Sequence, residues 1–266
     1  MERKDYKNIC ELSIPLIKST GVFIKGELNK VTQAQIETKD LNSLVSYVDK
    51  EAEKQLVKGL KVILPASGFI TEEDTIKQET KEATWIIDPL DGTSNYLHHI
   101  PHFAISVGLM VGGEIVVGIV LNAYSGECFY AWKGGGAFLD GEPISVSNSM
   151  EVQSSVIATG VPYKIEDVAP LINTLSHYMQ HARGIRRMGS AALDLVYVAC
   201  GRFDAYYETT LNSYDVAGGT LIVTEAGGIV SDFDGKDNFL FGKQIIAANK
   251  HIHQDVLQVL SNNFAS

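Results

Sequence analysis

Residues 103–132 contain three strand-like runs, Phe103 to Val111, Glu114 to Leu121 and Glu127 to Trp132, with turns at Gly112-Gly113 and Ser125-Gly126 between them. Turns of this composition are hairpin signals, because glycine reaches the positive φ that a tight turn between twisted strands requires. Strands joined this closely pair antiparallel, since a parallel neighbour needs a crossover of a dozen or more residues. The middle of the chain is therefore a meander and not a doubly wound parallel sheet.

The flanks alternate helices with short strands. Ile9, Leu12, Ile14, Leu16, Ile17, Val22 and Phe23 recur at mostly helical spacing over Tyr6 to Leu28, and Pro15 inside that run predicts a kink or a late start. A second helix is expected from Asp49 as N-cap, with Glu51 and Glu53 in its first turn and Leu56, Leu60 and Ile63 facing a core. Short strands follow at Gly68 to Thr71 and Thr84 to Ile87. Beyond the meander come a strand at Ser155 to Thr159, helices at Glu166 to His181 and Ala191 to Cys200, and a strand at Phe203 to Tyr207. A helix from Asp215 to Glu225 with Gly227-Gly228 as its cap, a strand at Gln244 to Ala248 and a helix from His251 to Leu260 complete the chain. Long helices with antiparallel-rich sheets define an α+β layered sandwich. No repeat, low-complexity tract or linker divides it, so residues 1–266 read as one domain, with two sub-layers meeting near residue 150.

A formal net charge of −10 excludes a nucleic acid as the main partner, for want of excess Lys and Arg to neutralise phosphates. A small anionic substrate stays compatible with it if a bound cation reverses the local field. No run reaches the ~18 apolar residues of a membrane span, and no signal-like stretch follows Met1. Three dispersed cysteines, Cys10, Cys128 and Cys200, form neither a CxxC pair nor a disulfide framework, which points to a reducing compartment, the cytoplasm.

The chemistry lies in Trp85-Ile86-Ile87-Asp88-Pro89-Leu90-Asp91-Gly92-Thr93-Ser94-Asn95. A buried strand delivers Asp88 at its end, Pro89 forbids further pairing, and Asp91 is a natural N-cap for a short helix. The amides of Gly92, Thr93 and Ser94 would then point outward as a phosphate site. Glu72-Glu73-Asp74 ends the preceding strand, and Asp215 opens a later helix. Two carboxylates about 4 Å apart repel by roughly 4 kcal/mol at an effective dielectric near 20, so such a cluster needs shared protons or cations. Oxygen ligands without a nearby cysteine or a clear histidine set favour Mg²⁺ over zinc. Each acid alone is read more simply as a helix cap or a solvated loop; the set in this order is more specific.

These residues resemble the inositol monophosphatase family. The matching pieces are Glu72-Glu73, then Trp85 through Asn95, then Asp215-Val216-Ala217-Gly218-Gly219 running into Thr224-Glu225-Ala226-Gly227-Gly228, in order over nearly the whole chain. The resemblance implies a layered αβαβα sandwich, usually dimeric, that hydrolyses a small phosphorylated polyol or sugar with two or three Mg²⁺ per site. It implies that Glu72, Asp88 and the Leu90 carbonyl hold one metal and that Asp88, Asp91 and Asp215 hold another. Thr93 would activate the attacking water with Asp49 in support, and the amides of Gly92 and Thr93 would hold phosphate oxygens. Glu208 would grip substrate hydroxyls, and Ala191 would line the sugar pocket. Thr71, Tyr214 and Asn212 depart from the family's usual glycine, tryptophan and, in some members, histidine, which leaves the ligand set intact and the exact substrate open.

A haloacid-dehalogenase-like mechanism needs Asp-x-Asp, and the Asp-x-x-Asp spacing with Pro89 inside fails that geometry. Thr93 has no evident histidine or lysine base to make it a covalent nucleophile, so water attacks directly. The rival substrates are 3′-phosphoadenosine phosphate and fructose 1,6-bisphosphate; the segment from Tyr96 to Phe103 looks more like the inositol phosphatase branch. A non-catalytic regulatory or binding protein on the same scaffold is the alternative from another class, and it would be expected to have lost a ligand. His98, His99 and His102 read as surface or rim residues, Gly134-Gly135-Gly136 as a turn lacking the Lys-Ser/Thr of a P-loop, and Arg186-Arg187 as a solvated pair or a substrate contact.

Overall fold

A computed structural model describes residues 3–31, 36–40, 43–162 and 167–264. Helix α1 spans Arg3–Glu27 and passes through Pro15, so the late start is not seen. The carbonyl that Pro15 cannot serve belongs to Glu11, an exposed residue that water can reach. Strands β1 (Ile36–Asp40) and β2 (Ser43–Ser46) form a separate antiparallel pair and lead into α2 (Tyr47–Ile63). The N-cap of α2 is Ser46, and Asp49 sits at the third helical position of a capping box. The expected N-cap at Asp49 was three residues late because Ser46 accepts from the amide of Val48 first.

The larger sheet has seven strands in chain order: β3 (Gly68–Thr71), β4 (Ala83–Asp91), β5 (Ala104–Val111), β6 (Glu114–Asn122), β7 (Cys128–Trp132), β8 (Ala137–Leu139) and β9 (Glu142–Ile144). Only β3 and β4 pair parallel; β5, β6 and β7 form the expected meander, which β4 precedes and β8 and β9 extend, all antiparallel. Strand β4 does not end at Pro89. Its register against β5 shifts between Asp88 and Asp91, and pairing resumes at Asp91 opposite Ala104. The bulge absorbs the missing amide of proline and turns the chain toward α3 (Thr93–Leu97).

The chain then builds a second, five-stranded sheet from β10 (Val156–Thr159), β11 (Gly184–Arg186), β12 (Ala205–Thr209), β13 (Ile229–Ser231) and β14 (Gln244–Ala248), ordered β11-β10-β12-β14-β13. Here β10 pairs parallel to both β11 and β12, while β14 pairs antiparallel to β12 and β13. The intervening helices are α4 (Ala169–His181), α5 (Ala191–Ala199), α6 (Ser213–Glu225) and α7 (His253–Phe264). Helix α4 begins at Ala169, and the expected start at Glu166 lies outside the described residues.

Among the described residues, three apolar clusters fill the four spaces between five layers, the middle cluster lying on both sides of α5 and α6. Ile17 and Ile24 of α1 and Leu56 and Leu60 of α2 bury against Trp85 and Val107 on one face of the larger sheet. Leu195 of α5 and Ile222 of α6 fill the space between the sheets with Ile86 and Tyr206. Tyr178 of α4 and Val256 of α7 cover the outer face of the smaller sheet. The order is αβαβα.

Close approach of α6 to the meander positions the site. A Cβ on Gly118 would stand 2.3 Å from the carbonyl oxygen of Gly218, and one on Gly108 would stand 2.8 Å from the Cβ of Ala217. Only glycine at 118 lets the helix backbone rest on β6. Ser106, opposite Asp88 in the register, also donates from Oγ to the carbonyl of Tyr214 at 3.3 Å, which brings the start of α6 over the end of β4.

Candidate active site

Glu72, Asp88, Leu90, Asp91, Gly92, Thr93, Ala191, Glu208 and Asp215 all line one cleft of about 210 Å³. Of the expected residues only Asp49 is not in its lining; it is fully buried behind Thr93. Six elements contribute, α5 among them with Ala191. The bulged end of β4 gives Asp88, Leu90 and Asp91, and the start of α3 gives Thr93. The segment after β3 gives Glu72, β12 gives Glu208, and the first turn of α6 gives Asp215.

Several of these side chains are held from behind. Thr93 Oγ lies 3.1 Å from Asp49 Oδ1 and 3.0 Å from the carbonyl of Leu90, and with that carbonyl turned to the cleft its one hydrogen goes to Asp49, into the protein. The hydroxyl's lone pairs are left for the cleft. Asp49 Oδ2 accepts from Ser46 N at 2.9 Å and Ser46 Oγ at 2.7 Å, which fixes the carboxylate that fixes Thr93. Asp215 accepts from Asn212 N at 2.6 Å in its own first turn.

Asp91 does not cap α3. The N-cap there is Gly92, with φ of 89°, and it has no side chain to bond. Asp91 instead accepts from Ser190 Oγ at 2.6 Å and Ala192 N at 2.7 Å, so it serves the N-terminus of α5 on the other side of the cleft. Asn95 ties the same two parts together, donating to the carbonyls of His102 and Met188 at 2.8 Å each.

Burial and like charge act together on the acids. Asp88 is pushed well above the usual carboxylate range by burial, then by the charges of Glu72, Asp91 and Asp215. Asp215 is raised by burial and by Asp91. Burial lifts Asp91 to about 6 against the hydrogen bonds from Ser190 and Ala192, and lifts Glu208 to about 7 against the one from Tyr206. Burial also raises Asp49, opposed by its bonds to Ser46. These acids favour the neutral form unless positive charge is supplied.

Among the described residues, no three His, Cys, Asp or Glu stand gathered as a ready-made metal site. The donor chemistry nevertheless fits a hard divalent cation. The lining offers carboxylates and a main-chain carbonyl and contains no cysteine or histidine.

Several site residues carry no obvious signal in the sequence. Glu53 reads as a first-turn acid, yet it is fully buried and accepts from Glu73 N at 2.7 Å, Thr75 N at 2.8 Å and Thr75 Oγ at 2.6 Å, thereby shaping the segment that carries Glu72. Asp194 is buried beside the cleft with one carboxyl oxygen lacking a hydrogen-bond partner, and burial and Glu208 raise it well above its usual range. Arg187 lines the cleft while Arg186 does not. His98 and His99 are exposed as expected, but His102 is buried against Tyr197, with ring centroids 5.7 Å apart, and burial lowers it to about 4. The glycines at 134–136 form the expected turn, with the amides of Gly134 and Gly136 donating to Glu225.

The layered αβαβα sandwich thus opens a carboxylate cleft where its two sheets and the starts of α3, α5 and α6 meet. The chain belongs to the inositol monophosphatase family, whose sequence model matches residues 5–264. It is 39% identical over 239 residues to an inositol-1-monophosphatase of Caulobacter vibrioides, covering 88% of this chain and 93% of that one. It is 34% identical over 258 residues to Nus factor SuhB of Pseudomonas aeruginosa, covering 95% of each. The solved IMPase of Thermotoga maritima superposes with a TM-score of 0.87 at 34% identity, covering 95% of this chain and 96% of that one.

Proposed function

We propose that this chain hydrolyses a small phosphorylated polyol, inositol 1-phosphate before other esters, by direct attack of water with Mg²⁺ bound. The observation that carries the reading is the convergence of Glu72, Asp88, Asp91 and Asp215 with Thr93 on one cleft, with Glu208 also in its lining. Membership of the family and the names of the relatives support it.

Mg²⁺ held by Glu72, Asp88, the Leu90 carbonyl, Asp91 and Asp215 would supply Lewis-acid polarisation of the phosphoryl oxygens and of the attacking water. The protein's own groups do the rest. The amides of Gly92 and Thr93 receive phosphate oxygens at the turn into α3. Thr93 Oγ, its hydrogen committed inward, accepts a hydrogen bond from the attacking water and aims it. Asp49 holds that hydroxyl in place through its 3.1 Å contact. Glu208 accepts from hydroxyls of the alcohol half, and Ala191 shapes the wall beside it. Thr93 is not read as a covalent nucleophile, because it has no histidine or lysine base and its carboxylate neighbour Asp49, held by Ser46, serves to orient the hydroxyl.

A second reading, a regulatory or binding protein on the same scaffold, is favoured by the relatives that bear the name Nus factor SuhB. The retained acids and the Thr93–Asp49 contact weigh toward the enzyme. Phosphate release by the purified chain in Mg²⁺ decides between them, with inositol 1-phosphate, fructose 1,6-bisphosphate and 3′-phosphoadenosine 5′-phosphate as substrates. Preference for the first is the expected result. Preference for either other ester moves the substrate, and no release from any of them favours the regulatory reading.

A further inference from the structure

Glu208 is set in place from two sides. Residues two apart on a strand share a face, and Tyr206 Oη donates to Glu208 Oε2 at 2.5 Å from within the core between the sheets. The second constraint is Gly160, the residue after β10, which is the parallel neighbour of β12. A Cβ built at Gly160 would stand 1.8 Å from Glu208 Cδ and 1.9 Å from each carboxylate oxygen. The carboxylate therefore occupies the volume that any other side chain at position 160 would fill. Both Gly160 and Glu208 line the cleft, and Tyr206 is fully buried behind them.

We propose that Gly160 and Tyr206 are positioning residues that fix where the Glu208 carboxylate meets a substrate hydroxyl, and so set the preference for a polyol ester over an ester without hydroxyls. The proposal rests on the assignment of Glu208 to the substrate's alcohol half. Neither residue is placed to touch the reacting atoms. Gly160 acts by leaving room, and Tyr206 acts by holding one of the two carboxylate oxygens so that the other is presented to the cleft. A carboxylate displaced by even an ångström loses hydrogen-bond geometry, whereas phosphate binding at α3 is untouched.

The test is a double-mutant cycle on Gly160→Ala and Glu208→Ala, with Tyr206→Phe alongside, in Mg²⁺. The three atoms nearest the added methyl of Gly160→Ala all belong to the Glu208 carboxylate, the far end of a flexible side chain, so the fold is expected to hold while the carboxylate moves. The readout is the ratio of kcat/KM for inositol 1-phosphate to kcat/KM for p-nitrophenyl phosphate. Gly160→Ala is expected to lower this ratio about tenfold, mainly through KM for the polyol ester, as for a lost hydrogen bond to a charged group. Tyr206→Phe moves it in the same direction, and Gly160→Ala adds nothing further once Glu208 is alanine. A ratio that Glu208→Ala lowers but Gly160→Ala and Tyr206→Phe leave within twofold overturns the positioning role alone. Additive losses in the double variant also overturn it. A ratio that Glu208→Ala itself leaves unchanged overturns both this proposal and the assignment beneath it. Should Gly160→Ala fail to fold, Tyr206→Phe and its cycle with Glu208→Ala decide the matter.

Discussion

Without a cation, the acid cluster should work against the fold, and Asp91 allows the effect to be sized. Its carboxyl rises from 3.8 to about 6 on folding, equivalent to about 3 kcal/mol of preference for the neutral form. Between those values the folded chain holds more of this proton than the unfolded chain, so the contribution to stability falls as pH rises. From about pH 5 to about pH 8 the loss amounts to about 1 kcal/mol, or about 2 °C in Tm for a chain of this length. Asp88 and Asp215 act in the same direction, while His102 acts in the opposite one. The comparison that reads the Asp91 charge, together with the share of the shifts it imposes on Asp88 and Asp215, is Asp91→Asn against wild type at each pH, by thermal unfolding in EDTA. Asparagine keeps an acceptor for Ser190 and Ala192 and removes the charge, so the variant should gain on wild type by at least about 2 °C between the two pH values. Mg²⁺ should raise the wild-type Tm, and more so at the higher pH, because the cation competes with the protons. A difference between variant and wild type that does not change with pH would refute the reasoning.

Three further outcomes follow from particular contacts. Thr93→Val, which keeps the shape and loses the hydroxyl, should lower kcat about 100-fold or more with an unchanged circular dichroism spectrum; a loss under threefold would remove Thr93 from the mechanism. Gly118→Ala places a methyl 2.3 Å from the backbone of α6, which cannot yield as a side chain can. It should cost about 2 kcal/mol in urea unfolding, and a neutral result would contradict the packing described. His102 is lowered from 6.5 to about 4, so its contribution to stability is lost as pH falls between those values. His102→Phe should remove about 2 kcal/mol of acid sensitivity between about pH 7 and pH 5; an unaltered profile would show that another group is responsible.

The sequence was readable where local chemistry and tertiary structure agree. The meander was visible because Gly112 and Gly113 take the positive φ that their hairpin demands, and the strand at Gln244–Ala248 was bounded by turn residues on both sides. Strands β8, β9, β11 and β13 are three residues each, too short for an alternating pattern to stand out. The residues of the candidate site could be named through the family resemblance that their motifs carry, but their supports could not. Asp91 beside Gly92-Thr93 reads locally as a cap, and only the fold brings Ser190 to it from 99 positions away. Glu53 looks like one more exposed acid at a helix start until the segment after β3 lands on it. Gly160 gives no sign at all, because its importance is the volume it leaves for a side chain on another strand.

The central claim is that the carboxylate cleft hydrolyses a phosphate monoester only with a divalent cation in place. The most direct test is initial-rate phosphate release from inositol 1-phosphate by the wild type and by Asp88→Asn, each in Mg²⁺, in EDTA, and in EDTA followed by excess Mg²⁺. Turnover by the wild type that EDTA abolishes and Mg²⁺ restores, with none from Asp88→Asn under any condition, is the predicted result. Turnover that survives EDTA, or near-normal turnover in Asp88→Asn, would contradict it.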